Sequence, residues 1–194
     1  MRLILTRHGE TLENVEGIMQ GHLPGTLSEK GQAQGLQLAE RLREEHIDCI
    51  YTSDLARASD TAELVAKYHP DIPFYTTKEL RERDIGELTG KKKSALGWPK
   101  SRSLVNAVIS DGESLQDMYR RAQNFLAEIK EKHADDTVLC VAHNGINKAI
   151  VAVLTGKNAS EIPDVPTMDN TSINIFSIAE ECSTELFNCT EHLT

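Results

Sequence analysis

The sequence lacks any apolar run near the ~20 residues that a helix needs to cross a bilayer. Its opening, MRLILTRHGE, offers only Leu3, Ile4 and Leu5 before Arg7, His8 and Glu10 intervene. No secretory leader is expected, and a soluble, cytoplasmic protein is. Positive charge is in deficit, with 21 Lys and Arg against 30 Asp and Glu and a formal net charge of −9. That balance weighs against nucleic acid or an anionic membrane as a partner. A small anionic partner stays open, because a local cluster of Arg and His outweighs the global sign at short range. The cysteines are few: Cys49, Cys140, Cys182 and Cys189 form no CxxC pair and no zinc-like spacing, and no HExxH occurs. Four reduced thiols and no metal site are the expectation, although a hairpin would bring Cys182 and Cys189 near each other. Internal repeats and low-complexity tracts are absent.

What is present is an alternation of apolar runs and helical stripes over 194 residues, which suits one α/β domain. Strands are expected at residues 3–5, 49–51, 73–75, 138–142, 173–178 and 185–188. Helices are expected at 28–45, with Leu36, Ala39 and Leu42 on one face and Ser28 as N-cap, at 53–68, at 114–133 and at 146–154. His69 and Pro70 close the second of these, since the residue before a proline is pushed out of helical geometry. Ser114 and Asp117 make a capping-box-like start for the third.

Two segments share one design. Leu3–Ile4–Leu5 runs into Thr6, Arg7, His8 and Gly9, and the 138–142 strand runs into His143, Asn144 and Gly145. In open α/β sheets, ligands sit beyond the carboxyl ends of strands near a topological switch point. If the two strands are neighbours, His8 and His143 share one pocket. Arg57, about one helical turn past the 49–51 strand, can turn back over it. Arg7, Arg57, His8 and His143 would then form a local positive site, and helix N-termini would add N–H donors for an anion. Taken singly, each of these residues is an ordinary core or surface group; the joint pattern is what points to an anion.

Arg7–His8–Gly9–Glu10–Thr11 resembles the signature of the histidine phosphatase superfamily, which includes cofactor-dependent phosphoglycerate mutases and many phosphatases. The resemblance extends through Asn14, the 53–58 stretch SDLARA, Leu80–Arg81–Glu82–Arg83 with Gly86 and Gly90, Asp111–Gly112–Glu113–Ser114–Leu115, and Ala142–His143–Asn144–Gly145. The closing segments around Asn170–Thr171–Ser172 and 188–193 fit as well. It implies a three-layer α/β/α sandwich with a mostly parallel central sheet, and a small cap insertion around residues 87–112 in a single domain spanning 1–194. It also implies His8 as nucleophile, Glu82 as proton donor, and Arg7, Arg57, Asn14 and His143 as holders of the phosphoryl oxygens. His143 is expected to be protonated for that task, with neighbouring carboxylates raising its pKa. No metal or other cofactor is implied.

The substrate side is expected along residues 20–31, QGHLPGTLSEKG, where many relatives carry an aspartate followed by proline and leucine. Gln20 and Gly21 there, and Asn144, are the binding candidates, and Lys91–Lys92–Lys93 is a solvated run placed to steer an anion. Mutases of the family usually have a longer insertion before the Gly-Glu-Ser helix and a tyrosine where this chain has Ile85. A phosphomonoesterase acting on a small phosphorylated metabolite through a phosphohistidine is therefore favoured over a mutase. A non-catalytic phospho-ligand binder or scaffold is the remaining alternative, and a monomer or homodimer is expected.

Overall fold

A computed structural model describes residues 1–97, 105, 107–109 and 111–193. Six strands form one sheet: β1 (Arg2–Arg7), β2 (Cys49–Ser53), β3 (Phe74–Thr77), β4 (Thr137–Ala142), β5 (Ile173–Ile178) and β6 (Cys182–Cys189), in the spatial order β3-β2-β4-β1-β5-β6. The β2–β3, β2–β4 and β1–β4 pairs are parallel, and β5 and β6 add an antiparallel edge. The helices are α1 (Leu12–Glu16), α2 (Glu29–Leu42), α3 (Ala56–Ala66), α4 (Leu115–Lys132) and α5 (Asn144–Leu154).

Alternation along the central strands decides the layers, because successive side chains leave opposite faces of a sheet. Leu3, Leu5, Val138, Cys140 and Ala142 pack with α4 and α5. Ile4, Leu139 and Val141 pack with Leu38, Ala39 and Leu42 of α2 and with Ala58, Ala62 and Val65 of α3. With both faces covered, β4 is buried at every position, as an apolar run in a parallel sheet should be. Each fully buried large aliphatic side chain contributes roughly 1.5–3 kcal/mol.

The helix starts follow their capping chemistry. Ser28 accepts the Gly31 N–H at 3.0 Å, and Ser114 Oγ accepts the Asp117 N–H at 3.1 Å while donating to its carboxylate at 2.6 Å. The register of α2 differs from the expected one. Leu36 is 55% exposed, and Leu38 takes the core position with Ala39 and Leu42. Gly35 faces Leu64 of α3, so the α2–α3 contact runs along Gly35, Leu38, Ala39 and Leu42. Helix α3 stops at Ala66, short of His69–Pro70. Helix α1, unexpected from the sequence, is a single turn closed by a capping box between Thr11 and Asn14. The four cysteines are free thiols, and Cys182 and Cys189 stand at opposite ends of β6.

The segment expected as a cap lies partly outside the described residues, including Trp98 and Pro99. Its described start folds onto the loop after α1. Ile18 bridges to Lys92, the Met19 N–H donates to the Lys91 carbonyl at 3.0 Å, and the Gly90 N–H donates to the Met19 carbonyl at 2.8 Å. No helix among the described residues is long and apolar enough to cross a membrane.

Candidate active site

Strands β1 and β4 pair in parallel with Arg7 opposite Ala142, and the His8 N–H donates to the Ala142 carbonyl at 3.0 Å. The chain leaves β1 toward α2 on one face and leaves β4 into α5 on the other. Their carboxyl ends therefore form a switch point of the sheet. The His8 and His143 rings lie there with centroids 5.2 Å apart.

The two imidazoles present different nitrogens. Nδ1 of His8 is 2.7 Å from the Gly9 carbonyl, so Nδ1 carries the proton and Nε2 keeps its lone pair. Burial first, then Arg57 and Arg7, pushes the His8 pKa well below its ordinary value. In His143 the tautomer is reversed. Nδ1 accepts the Nε–H of Arg57 at 3.1 Å, which places the proton on Nε2. Burial, then Arg57, His8 and Arg7, pushes the His143 pKa well down. The imidazole expected as a cation is therefore a neutral N–H donor here, because burial first and the neighbouring guanidinium groups second disfavour another proton.

Arg57 is buried in the first turn of α3, and its guanidinium pKa is pushed down to about 10, chiefly by that burial. Beyond the bond to His143, it donates to the carbonyls of Leu23, Pro24 and Gly21, the last at 3.0 Å. It thus stitches the 21–24 loop to the second histidine. Arg7 donates through one terminal nitrogen to the Met168 carbonyl at 3.0 Å. Its Nε and the Nε2 of His143 are buried donors with no protein partner among the described residues. Two such donors beside a neutral imidazole lone pair suit an anion with several oxygens, since buried N–H groups are costly when left unpaired.

Glu82 lies against the start of α5, beside His143. Its two carboxylate oxygens accept the Arg83 N–H at 2.9 Å and the Gly145 N–H at 3.1 Å. A Cβ at position 145 would lie 2.3 Å from Glu82 Oε1, so only glycine at the start of α5 lets the carboxylate come this close.

This arrangement has relatives. A sequence profile described as "Histidine phosphatase superfamily (branch 1)" matches residues 3–190. The chain belongs to the histidine phosphatase superfamily. It is 32% identical over 190 residues to the "Metal-independent phosphoserine phosphatase" of Arabidopsis thaliana, covering 92% of this chain and 77% of that one. It is 31% identical over 186 residues to "Phosphoglycerate mutase-like protein 4" of the same plant, covering 91% and 79%. The solved structure of Bacillus stearothermophilus YhfR superposes with a TM-score of 0.89 at 30% identity, covering 100% of this chain and 99% of that one.

The fold brings His8, His143, Arg7, Arg57 and Glu82 together, and it gives the other expected residues mixed placements. The amide oxygen of Asn14 accepts the Thr11 N–H at 3.2 Å, which leaves its amide nitrogen as the group to offer an anion. Gln20 is buried and donates to Thr11 Oγ1 at 2.9 Å. The Gly21 carbonyl serves Arg57, and the Asn144 amide oxygen accepts the Met168 N–H at 3.3 Å. Gln20, Gly21 and Asn144 therefore spend these polar groups on the walls of the site. Lys91 and Lys92 face Glu87 and Glu16.

Several supports of the site carry almost no sequence signal of their role. Asn170 donates to the His8 carbonyl at 2.7 Å, and the N–H of Thr171, held at φ 56°, donates to the Arg7 carbonyl at 2.8 Å. His22 Nε2 donates to the Glu82 carbonyl at 2.8 Å. The Asn170–Thr171–Ser172 match was the one hint available. Nothing in the spacing of His22 indicated that it would reach residue 82.

Proposed function

We propose that this protein is a phosphomonoesterase that needs no metal and works through a phosphohistidine at His8 on a small phosphorylated metabolite. The observation that carries this reading is the His8 tautomer. The Gly9 carbonyl holds the Nδ1 proton at 2.7 Å, so Nε2 is a neutral nucleophile in the position the sequence pattern selects. In the first step, the Nε2 lone pair forms a bond to phosphorus as the ester P–O bond breaks in line. Glu82 gives its proton to the departing alkoxide. In the second step, water attacks the phosphohistidine, Glu82 takes the water proton, and the N–P bond breaks to return neutral His8.

Arg7, Asn14 and the Nε2–H of His143 bind the non-bridging oxygens, and Arg57 acts mainly by fixing His143 and the 21–24 loop. Stabilisation of a phosphoryl group in flight is largely electrostatic, so preset donors of this kind supply most of the catalysis. Ile85 before Gly86 and the short segment between Gly90 and Gly112 support a phosphatase over a mutase.

The test is phosphate release from an aryl phosphate and a panel of monoesters with chelator present, comparing wild type with His8→Ala. Activity that persists in chelator and is lost in the variant supports the proposal. A wild type that hydrolyses nothing sinks it, and turnover of phosphoglycerate with its bisphosphate would then identify a mutase.

A further inference from the structure

The Glu82 segment is held from behind by a half-buried ion pair that makes no hydrogen bond to His8, His143 or Arg7. Arg121, in the second turn of α4, donates through Nε and one terminal nitrogen to both carboxylate oxygens of Glu113 at 2.8 and 2.7 Å. Its other terminal nitrogen donates to two backbone carbonyls, Glu79 at 2.6 Å and Arg81 at 2.7 Å. All three guanidinium nitrogens are thus committed, and the side chains of the pair are only 15–16% exposed. The two carbonyls belong to the residues three before and one before Glu82.

Glu113 is itself tied through its backbone to the other flank of Glu82. The Glu113 N–H donates to the Asp84 carbonyl at 2.9 Å, and Arg83 Nε donates to the Glu113 carbonyl at 2.7 Å. Gly86 sits at φ 49° with Asp111 packed where a Cβ would go, and Asp111 accepts the Glu87 N–H at 2.9 Å. The start of α4 is therefore a socket for residues 79–87. Leu80 and Ile85 are pressed into the protein on either side of the acid, and Asp54 holds the Arg81 side chain bidentately at 2.6–2.7 Å.

We infer that Arg121, locked by Glu113, is a positioning residue that sets the place of the Glu82 carboxylate, and so governs protonation of the leaving group and not capture of the phosphoryl group. This rests on Glu82 being the acid. The physical reason is satisfaction of partly buried carbonyls. Without the forked guanidinium, two carbonyls lose their donor and the strip carrying Glu82 relaxes toward water. Misplacing a reacting group by about 1 Å costs on the order of 100-fold in rate. Arg7 ends β1, and His8 and His143 follow directly on β1 and β4, where their backbone is held by the sheet and not by the Glu82 strip. The charge of Arg121 also reaches His143, and Arg121→Lys keeps that charge.

The leaving group separates the two effects. An aryl phosphate such as p-nitrophenyl phosphate expels a stable phenolate and depends little on the acid. An alkyl monoester expels an alkoxide and depends on it strongly. We would measure kcat/KM for p-nitrophenyl phosphate, and for the alkyl monoester that the wild type turns over best, in Arg121→Lys, Glu113→Gln and Glu82→Gln. The expected result is that each variant loses at least about tenfold more on the alkyl than on the aryl ester. Combining Arg121→Lys with Glu82→Gln should add little further alkyl loss.

Folded Arg121→Lys and Glu113→Gln proteins that lose both substrates equally, or neither, while Glu82→Gln discriminates between them, overturn the inference and leave the acid assignment standing. A Glu82→Gln protein without discrimination overturns both. Should Arg121→Lys fail to fold, the nearly isosteric Glu113→Gln decides the matter alone.

Discussion

Arg57 donates its Nε–H to Nδ1 of His143 at 3.1 Å, and that bond decides where the proton on His143 sits. Burial and the surrounding guanidinium groups disfavour a second proton, so His143 offers one N–H through Nε2. An arginine serves here because its Nε lies beside two further nitrogens that hold the 21–24 loop. A lysine has no such fork. Arg57→Lys is expected to lower kcat/KM by about 10²–10³-fold, the usual cost of one preorganised donor. It should also change the 15N shifts that report the His143 tautomer. Wild-type kinetics in this variant would show the bond to be incidental.

Gly145 separates activity from stability. A methyl group there meets Glu82 Oε1 at 2.3 Å, and the flexible carboxylate is the group that must yield. Gly145→Ala, inside α5, gains up to about 1 kcal/mol in helix propensity. The expected variant melts no lower than wild type and loses roughly tenfold to a hundredfold of its alkyl phosphatase activity. Loss of stability together with undiminished activity would contradict the close approach seen here.

The acid sensitivity of the fold should come from histidine. His8, His143 and His192 each have a pKa lowered from the ordinary 6.5, with burial as the first cause. Unfolding restores the ordinary value, so below it the unfolded chain binds more protons than the folded one. Stability from these groups is fully present above pH 6.5 and is lost as pH falls toward the depressed folded values. The urea midpoint is expected to hold at neutral pH and decline steadily as pH falls below that value, with proton uptake on unfolding. A midpoint that stays level until the carboxylate range would assign acid denaturation to Asp and Glu instead.

Two leucines of α2 test its register. Leu38 is fully buried, and Leu36 is 55% exposed. Leu38→Ala should cost about 2–5 kcal/mol through lost transfer energy and a residual cavity, whereas Leu36→Ala should stay within about 0.5 kcal/mol. Denaturant titrations of the two variants measure this directly, and the reverse order would restore the helical face expected from the sequence alone.

The sequence by itself determined the three-layer sandwich and the identity of the residues that meet at its centre. Periodicity is a local property, and it located all six strands and the four long helices to within a few residues. The single-turn helix α1 was too short to leave a stripe. The recurrence of strand-His-Gly selected His8 and His143, and the register of β1 on β4 joined them. Protonation was not legible, because a histidine's charge depends on what encloses it. Only the packed fold puts Arg57 against Nδ1 of His143 and a carbonyl against Nδ1 of His8. The face of α2 was equally hidden, since Leu36 and Leu38 are alike in composition and the contact with α3 chooses between them. The supports of Glu82 come from residues 22, 113, 121 and 145, far apart in the chain. No spacing rule links them, and tertiary structure alone decided that the Glu82 carboxylate stands where they hold it.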